Sequence, residues 1–564
     1  MNKRLWHDSY DDGVAPSLNY NGTTLIEYLN KSVQDYPEHD VLNFMNCNMK
    51  YREFGDAVER LATALANLGV KKGTRVAVQL PNIPQTPISF FAIQRLGAHA
   101  VMTNPLYMPR EIKHQWNDSN CEIAIVADFI YDQKVRALRG DVPVKQYIIA
   151  SIPEYLKFPL RQLAPLKLKK MDPPSVAKVA PEAGVHFFRK LVESTAPAAP
   201  AVDIDIDDIA VIQYTGGTTG VSKGAVLTQR NIAYNAQMVN AWFVNVPYGE
   251  EVLLSALPFF HIFGLTVCMI WPVSVAGKMI LMPNPRDIPT MVKNIEKHKV
   301  TLYPALPALF NAVNQFPGIE KRDLSSVKYC FSGSAPLPED VQETFEKLTG
   351  AIIVEGFGMT ETSPVVTGNP LYGERKIGHI GIPFPDTDVK VVDPKDASIE
   401  RAVGEEGELI VKGPQVMQGY WNMPDETALT IKNGWLHTGD LVIMDQGGYL
   451  RIVGRCKDMI IAGGYNIYPD EIDRVLTAHP KVFEACTIGV PDECRGETVK
   501  SFIILNPGEE CTDAELDTYA RAELAAYKAP KSYEFREELP KSAMMKLLRR
   551  VLRDEEEAKM RKNN

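Results

Sequence analysis

The segment Gln213-Tyr214-Thr215-Gly216-Gly217-Thr218-Thr219-Gly220-Val221-Ser222-Lys223-Gly224 decides how the rest of the chain is read. Before it, Ile209–Tyr214 is an apolar run of buried-strand type. After it, Ala225–Leu227 again has strand rather than helix character. From Thr215 to Gly224 the segment offers four glycines, three threonines, a serine and a lysine. Glycine lets backbone N–H groups approach oxyanions, hydroxyls donate hydrogen bonds, and the lysine adds positive charge. A polyphosphate requires these groups. A Gly/Thr hairpin turn is the bland alternative, but a turn has no need of so many hydroxyls together with a lysine. The spacing is not GxxxxGK[ST], since Gly224 follows Lys223. Phosphate binding of the Walker type, at a helix N-terminus, is therefore not indicated. No GxGxxG follows a strand, which argues against a dinucleotide fold.

Working outward, the flanking sequence alternates. Tyr51–Leu68 carries apolar residues at helical spacing, and Arg75–Leu80 is a short strand-like run. Pro87–Leu96 reads as helix, Ala100–Thr103 as strand, Pro109–Asn117 as helix and Glu122–Val126 as strand. Such alternation predicts an α/β fold in which parallel-type sheets are layered with helices. The rhythm breaks at 150–202, where Pro153, Pro159, Pro165, Pro173, Pro174, Pro181 and the run Ala196–Ala201 predict an irregular insertion. Alternation resumes at Asp208 and runs to about Val453. The remainder has strands (Ala485–Val490, Val499–Leu505) and helices (Asp470–Ala478, Asp513–Leu524, Lys546–Glu557) of its own. We therefore expect a large N-terminal domain over 1–455 and a small, mobile α+β domain over 456–564. No internal repeat is apparent.

Composition fits a soluble globular chain. Its 564 residues, at roughly 150 per domain, suggest about three to four domains or subdomains. The sequence is 45% hydrophobic and 23% charged, enough apolar material to exclude disorder throughout. With 61 Lys+Arg against 70 Asp+Glu, the net charge of −9 argues against a chain built as a whole to bind nucleic acid. The eight cysteines (Cys47, Cys121, Cys268, Cys330, Cys456, Cys486, Cys494 and Cys511) form no CxxC and have no histidine at zinc-ligand spacing. Inert thiols in a reducing compartment are expected. Residues 1–13 lack the apolar stretch of a secretory signal. Ile262–Gly277, free of charge but short and holding Pro272, is expected to be buried helix and strand rather than a membrane span. Within the insertion, Lys157, Arg161, Lys167, Lys169 and Lys170 alternate with leucines and Phe158, a pattern able to lie on an anionic membrane. Pro159 and Pro165 argue against one continuous helix there, and a solvated surface loop is the alternative.

The phosphate segment resembles that of the adenylate-forming superfamily of acyl-CoA synthetases, peptide-synthetase adenylation domains and luciferases. Further motifs of that family follow in its order. Leu257-Pro258-Phe259-Phe260-His261-Ile262-Phe263-Gly264 is similar to its substrate-pocket motif, and Ser332-Gly333-Ser334-Ala335-Pro336-Leu337 to its adenine-contacting turn. Glu355-Gly356-Phe357-Gly358-Met359-Thr360-Glu361-Thr362 resembles its nucleotide and magnesium motif. Trp435–Asp440 and Gly454–Asp458 match the ribose and hinge motifs, and Gly463–Pro469 the thiol-tunnel motif. Pro540–Lys546 matches the catalytic-lysine motif except at Met545, where the family usually has glycine. The resemblance spans nearly the whole chain. It is nearest to bacterial long-chain fatty-acid–CoA ligases, through Leu5-Trp6 and Gly413–Met417.

The resemblance implies two half-reactions. A carboxylate attacks the α-phosphorus of ATP to give an acyl-adenylate and pyrophosphate, and coenzyme A then displaces AMP. It implies that Lys546 neutralises charge at the α-phosphate, with Glu361 and Thr215 as the other catalytic residues and as Mg²⁺ ligands. The ATP contacts implied are Thr215, Gly216, Gly217, Thr218, Thr219, Gly220, Lys223, Ser334, Ala335, Pro336, Glu355, Gly356, Phe357, Gly358, Met359, Thr360, Asp440, Arg455 and Lys546. Phe357 would stack on adenine and Asp440 would accept from the ribose hydroxyls. Phe260, His261 and Gly264 would shape the acyl pocket. His261 is assigned to shape because a carboxylate, already ionised at neutral pH, needs no general base. Lys457 is the implied hinge, and Gly463, Gly464 and Tyr465 the coenzyme A segment. Fatty acid, ATP and coenzyme A would be the partners, with no nucleic acid. The location expected is the cytoplasm, with peripheral contact at the inner membrane face and room for a homodimer. A medium-chain or aryl acid ligase, and a non-catalytic acyl or adenylate binder, remain the competing functions. The absence of an acidic residue from Val300–Asn311 speaks against an amino-acid substrate.

Overall fold

The structure, a computed structural model, describes the chain except for residues 1–2, 172–173, 216–221, 245, 463–464, 493–495, 543–545 and 564. It divides into two compact units. The first comprises Met1–Asp388 and Lys412–Gly434, the second Val389–Val411 and Trp435–Asn564.

Two large sheets build the first unit. One runs Gly419–Tyr420, Lys223–Thr228, Ile209–Thr215, His99–Met102, Arg75–Gln79, Ile123–Ala127, Gln146–Ala150, Val185–Phe187. Its strands are parallel from Ile209–Thr215 to the Val185–Phe187 edge. The hairpin of Ile209–Thr215 and Lys223–Thr228 is antiparallel. The other runs Ile382–Pro383, Val365–Gly368, Ile352–Gly358, Tyr329–Ser332, Leu302–Ala305, Val252–Ser255, Lys278–Leu281, Asp40–Phe44, Cys47–Lys50. Its centre is parallel and both edges are antiparallel. The central strands read as unbroken apolar runs because helices cover both faces, so no position along them faces water. Ile123–Ala127 is buried at every residue.

The helix Tyr51–Asn67 shows how sequence sets such an element. Tyr51, Phe54, Val58, Leu61 and Leu65 fall on one buried face. At its start the Lys50 N–H donates to the Glu53 carboxylate at 2.9 Å, a satisfied orphan donor. Ile262–Leu265, Thr266–Ile270 and Trp271–Ser274 form a buried helical run. Among the described residues no helix is long and apolar enough to cross a membrane.

The insertion departs from the expectation of irregular chain. It contains a helix, Leu160–Leu168, with Pro165 inside it, then an edge strand Val185–Phe187 and a helix Phe188–Ser194. Pro165 removes the hydrogen bond to the Arg161 carbonyl. The helix buries none of its residues, so water can serve that group and the turn survives.

In the second unit one antiparallel sheet runs Asp388–Val392, Glu406–Lys412, Trp435–Met444, Leu450–Arg455. A second runs Tyr465–Ile467, Ile460–Ala462, Gly496–Leu505, Val482–Asp492, with Ser532–Phe535 parallel to Gly496–Leu505. Ile472, Leu476, Val482, Ile503, Leu516 and Ala520 form its core beneath helices Pro469–Thr477 and Asp513–Glu523. The last helix is Arg549–Asn563, starting three residues after the expected Lys546. A bridge between Lys541 and Leu547 and the Leu548 N–H to Pro540 carbonyl bond (2.8 Å) hold the preceding chain as a loop. The large-plus-small α/β architecture expected from the sequence is thus present. Lys457 lies inside the second unit, in the chain between its strands Leu450–Arg455 and Ile460–Ala462.

Candidate functional site

The phosphate-type segment opens from the end of a strand. Thr215 and Lys223 face each other across the hairpin, and the Ser222 hydroxyl donates to the Thr215 carbonyl at 2.7 Å. Gly216, Gly217, Thr218, Thr219 and Gly220 lie outside the described residues. Lys223 is a half-buried cation. It pairs with Glu426 and stands 5.1 Å from the centre of the Tyr420 ring. Tyr420 reaches the other way too: its hydroxyl donates to Glu361 Oε1 at 2.6 Å. One tyrosine thus joins the lysine of the loop to the carboxylate of the Thr360-Glu361-Thr362 turn.

That turn is itself clamped. Glu361 is 8% exposed, and its carbonyl accepts the Met417 N–H at 2.8 Å. Met417 belongs to Gly413–Met417, which Asn231 holds by donating to the Pro414 and Val416 carbonyls, both at 2.8 Å. The fully buried Gln415 donates to Thr387 at 2.8 Å. Gly358, just before the turn, has no room for a side chain: a Cβ would lie 2.1 Å from the Pro364 carbonyl oxygen. Phe357 and Met359 are half-buried, and Thr360 is half-buried beside them.

Ser334, Ala335 and Pro336 follow the strand Tyr329–Ser332, whose Ser332 is in register with Glu355. Ser334 has φ 72°, a left-handed conformation that residues with a Cβ rarely adopt and that concentrates at ligand sites. Leu337 then donates its N–H to the Glu355 carboxyl at 3.2 Å. Burial pushes that carboxyl up to about 8, so near neutrality it is largely protonated. Gly356 packs against Phe331 and the Thr367 carbonyl.

The apolar motif sits on the same frame. Gln213, from the strand leading into the loop, donates to the Phe260 carbonyl at 2.7 Å. His261 caps the helix that follows, its Nδ1 accepting the Phe263 N–H at 3.3 Å. Gly264 is required there, since a Cβ would lie 2.1 Å from the Pro258 carbonyl oxygen. The cap accounts for the placement of His261 by local structure.

In the second unit Asp440 and Arg455 are cross-strand partners, with Arg455 Nε 2.9 Å from the carboxylate. Burial raises the Asp440 carboxyl while Arg455 and Lys546 pull it back. The turn before Asp440 is held by Glu408, which takes His437 at 2.9 Å and the Gly439 N–H at 3.1 Å. Lys546 is solvent-accessible on its loop, and its N–H donates to the Ser542 hydroxyl at 3.2 Å. The neighbouring Arg455 guanidinium, the largest influence, lowers its ammonium to about 8, against the pull of Asp440 and Asp470. Lys457 is exposed. Gly463, Gly464 and Met545 lie outside the described residues, and Tyr465 is placed only by its backbone, opposite Ala462.

The structure thus gathers Thr215, Lys223, Glu361 and the Ser334 turn in one unit, and Asp440, Arg455 and Lys546 in the other. Sequence reading missed Tyr420, Glu426 and Glu408. Tyr420 is far from both Lys223 and Glu361 in the chain; the antiparallel pairing of Gly419–Tyr420 with Lys223–Thr228 brings it to the first, and the Met417 N–H to Glu361 carbonyl bond holds its segment to the second.

Two family models match: AMP-binding enzyme over residues 29–421 and AMP-binding enzyme C-terminal domain over 471–546. The long-chain-fatty-acid–CoA ligase of Bacillus subtilis (strain 168) is 41% identical over 559 residues, 99% of each chain. ATP-bound MatB from Rhodopseudomonas palustris superposes with a TM-score of 0.83 at 28% identity, over 94% of this chain and 98% of that one. The anthranilate CoA ligase AuaEII in complex with anthranoyl-AMP gives 0.84 at 26% identity, over 96% and 99%. With the Thr215–Lys223 hairpin and the clamped Glu361 turn inside the first matched range and Lys546 at the end of the second, the chain belongs to the AMP-binding enzyme family.

Proposed function

We propose that this protein is an AMP-forming long-chain fatty-acid–CoA ligase. The observation that carries the reading is its full-length likeness to the Bacillus subtilis ligase. The site supports it residue by residue. A fatty carboxylate attacking the α-phosphorus brings anion to anion, so orientation and charge neutralisation dominate the barrier. Lys546, carried on its loop, supplies the positive charge at the α-phosphate. The loop from Thr215 to Lys223 holds the β- and γ-phosphates, with Thr218 and Thr219 among its donors. Pyrophosphate leaves, and the thiol of coenzyme A then attacks the acyl carbon and expels AMP.

Phe357 and the Ser334-Ala335-Pro336 turn take the adenine, with Glu355 beneath the turn. Asp440 accepts from the ribose hydroxyls, with Arg455 beside it. Phe260, His261 and Gly264 shape the acyl entrance. Glu361 fits Mg²⁺: it is a buried carboxylate with one oxygen fixed by Tyr420, and a hard cation takes such oxygens together with the Thr215 hydroxyl. When bound with ATP, the ion neutralises phosphate charge. The region from residue 456 onward turns about Lys457, so that Lys546 serves the first half-reaction and Gly463-Gly464-Tyr465 the second. The same reading places the protein in the cytoplasm against the inner membrane face. The reading leaves room for a homodimer, which light scattering tests.

Pyrophosphate release on mixing enzyme, ATP and oleate tests the reading, followed by coenzyme A-dependent release of AMP. A series of saturated acids from short to long, with benzoate alongside, decides between a long-chain preference and the medium-chain or aryl alternative. The likeness to an anthranilate ligase is the observation favouring the aryl reading. No pyrophosphate with any acid would leave only the non-catalytic binder.

A further inference from the structure

We propose that the segment from Lys157 to Met171 is a docking element for an anionic lipid bilayer. It is a protrusion fixed at its base. Ile152, Pro153 and Leu156 are buried, and Gln85 donates to both the Ser151 carbonyl and the Glu154 carboxyl at 2.8 Å. Beyond Leu156 the chain leaves the core. The helix Leu160–Leu168 buries no residue, and its far end is tied back by the Ser175 N–H donating to the Leu168 carbonyl at 3.1 Å.

What the protrusion shows to solvent is apolar to an unusual degree. Phe158 is 83% exposed, Leu160 51%, Leu163 53%, Leu166 65% and Met171 45%. Leu160, Leu163 and Leu166 are spaced to form one row along the helix. A water-facing loop gains nothing from such a row.

The charges name the partner. Lys157, Arg161, Lys167, Lys169 and Lys170 interleave with that row, and no acidic residue lies between Glu154 and Asp172. Among the described residues none of these five cations has an ion-pair partner, although most cations elsewhere in the chain do. The chain as a whole carries −9. An anionic bilayer therefore attracts this segment while repelling most of the remaining surface, which orients the molecule with the protrusion towards lipid. The leucines and Phe158 enter the headgroup boundary, and the lysine stems lie along it with their ammonium groups at the phosphates. A nucleic acid would use the cations but leave the leucine row in water.

The inference rests on the fatty-acid reading only for its purpose, delivery of a substrate that dissolves in membranes. Its test is independent. Full-length protein is sedimented with phosphatidylcholine vesicles, with and without about one-third phosphatidylglycerol. Binding is expected to the anionic vesicles alone and is expected to be released by high salt. At about a factor of five per lysine, the combined change Lys167→Gln, Lys169→Gln, Lys170→Gln lowers partitioning roughly 100-fold. Leu160→Ser, Leu163→Ser, Leu166→Ser lowers it as well. Both variants keep wild-type turnover on a short, water-soluble acid, because every changed residue is exposed. Wild-type protein that ignores the anionic vesicles, binds neutral ones equally, or binds undiminished in either variant would overturn the proposal. Vesicle binding without acid activation would instead sink the enzyme reading and leave the docking element standing.

Discussion

At the scale of a single residue, the proposed chemistry centres on Lys546. Losing one preorganised charge at a reacting phosphate typically costs about 10²–10³ in rate. Lys546→Ala is expected to lose at least that much in acid-dependent pyrophosphate release while still forming thioester from supplied acyl-adenylate. Equal losses in the two assays would remove the role. The residue also sets a pH limit. The charged form is the useful one, and Arg455 holds the ammonium at about 8. Adenylation kcat/KM should therefore fall as pH rises through about 8. Arg455→Gln, by deleting the largest depressing charge, should move that limb to higher pH even as ATP binding weakens; a limb that stays put excludes Lys546 as its source. Tyr420 makes a third case. Tyr420→Phe keeps the ring beside Lys223 but takes the donor from a buried carboxylate. A hydrogen bond to a charged group contributes about 1.5–3 kcal/mol, so the KM for magnesium-ATP is expected to rise roughly tenfold or more. An unchanged KM would show that the Tyr420–Glu361 bond does not serve the metal-nucleotide site. These residues were unequally legible. Lys546, Asp440 and Glu361 stand in short motifs that the family resemblance picks out. Tyr420 is one aromatic among many until the fold brings its hydroxyl to Glu361.

Elements come next, and here the helix Arg549–Asn563 matters because of how it begins. Arg549 donates to the Thr487 carbonyl at 3.1 Å and pairs with both Asp470 and Asp473. Asp470 and Asp473 lie on the helix Pro469–Thr477, directly after the Gly463–Tyr465 segment. One guanidinium therefore ties the Lys546 loop to the element that follows the proposed coenzyme A segment. Removing one partner of a buried ion pair typically costs about 3–5 kcal/mol, because the other charge is left uncompensated. Arg549→Ala should destabilise the second unit by that order in urea unfolding, and Arg549→Lys should recover only part of it. Wild-type stability for the alanine variant would mean that the ion pairs are not closed in solution. The helices that periodicity named from Tyr51 to Leu524 fall within about two residues of place, since an apolar stripe survives any change of neighbours, while others such as Leu25–Asp35, Gln229–Trp242 and Glu339–Thr349 went unassigned. It misplaced the start of this one because the bond from Leu548 to Pro540 is set by a loop, not by a pattern. It also discounted Leu160–Leu168, where Pro165 argued for a break that full exposure makes tolerable.

The whole molecule answers to pH through groups that local sequence does not mark. In the first unit, burial raises Asp128 to about 6, Glu154 to about 7 and Glu355 to about 8. A carboxyl raised on folding binds its proton more tightly in the native than in the unfolded chain. Stability is therefore fullest below the unfolded value and declines as pH climbs through the folded one. His99 works in the opposite sense: burial lowers it to about 4, so its contribution grows between there and its ordinary value near 6.5 and then stops. Above about pH 6.5 the histidine is spent while Glu154 and Glu355 are still losing protons. The thermal midpoint of the first unit is thus expected to fall between about pH 6.5 and 8.5. Glu355→Gln keeps an acceptor for the Leu337 N–H and removes the proton that titrates, so it should flatten that slope. A midpoint flat or rising across this range in the wild type, or a slope untouched in the variant, would show that these carboxyls reach water in the folded state. The alternation of strand and helix was enough to anticipate the layered sheets that bury them. It carried no sign of which carboxyls those layers would enclose, because the chain that meets Glu355, such as Leu337 after the Ser334 turn, is distant from it in sequence.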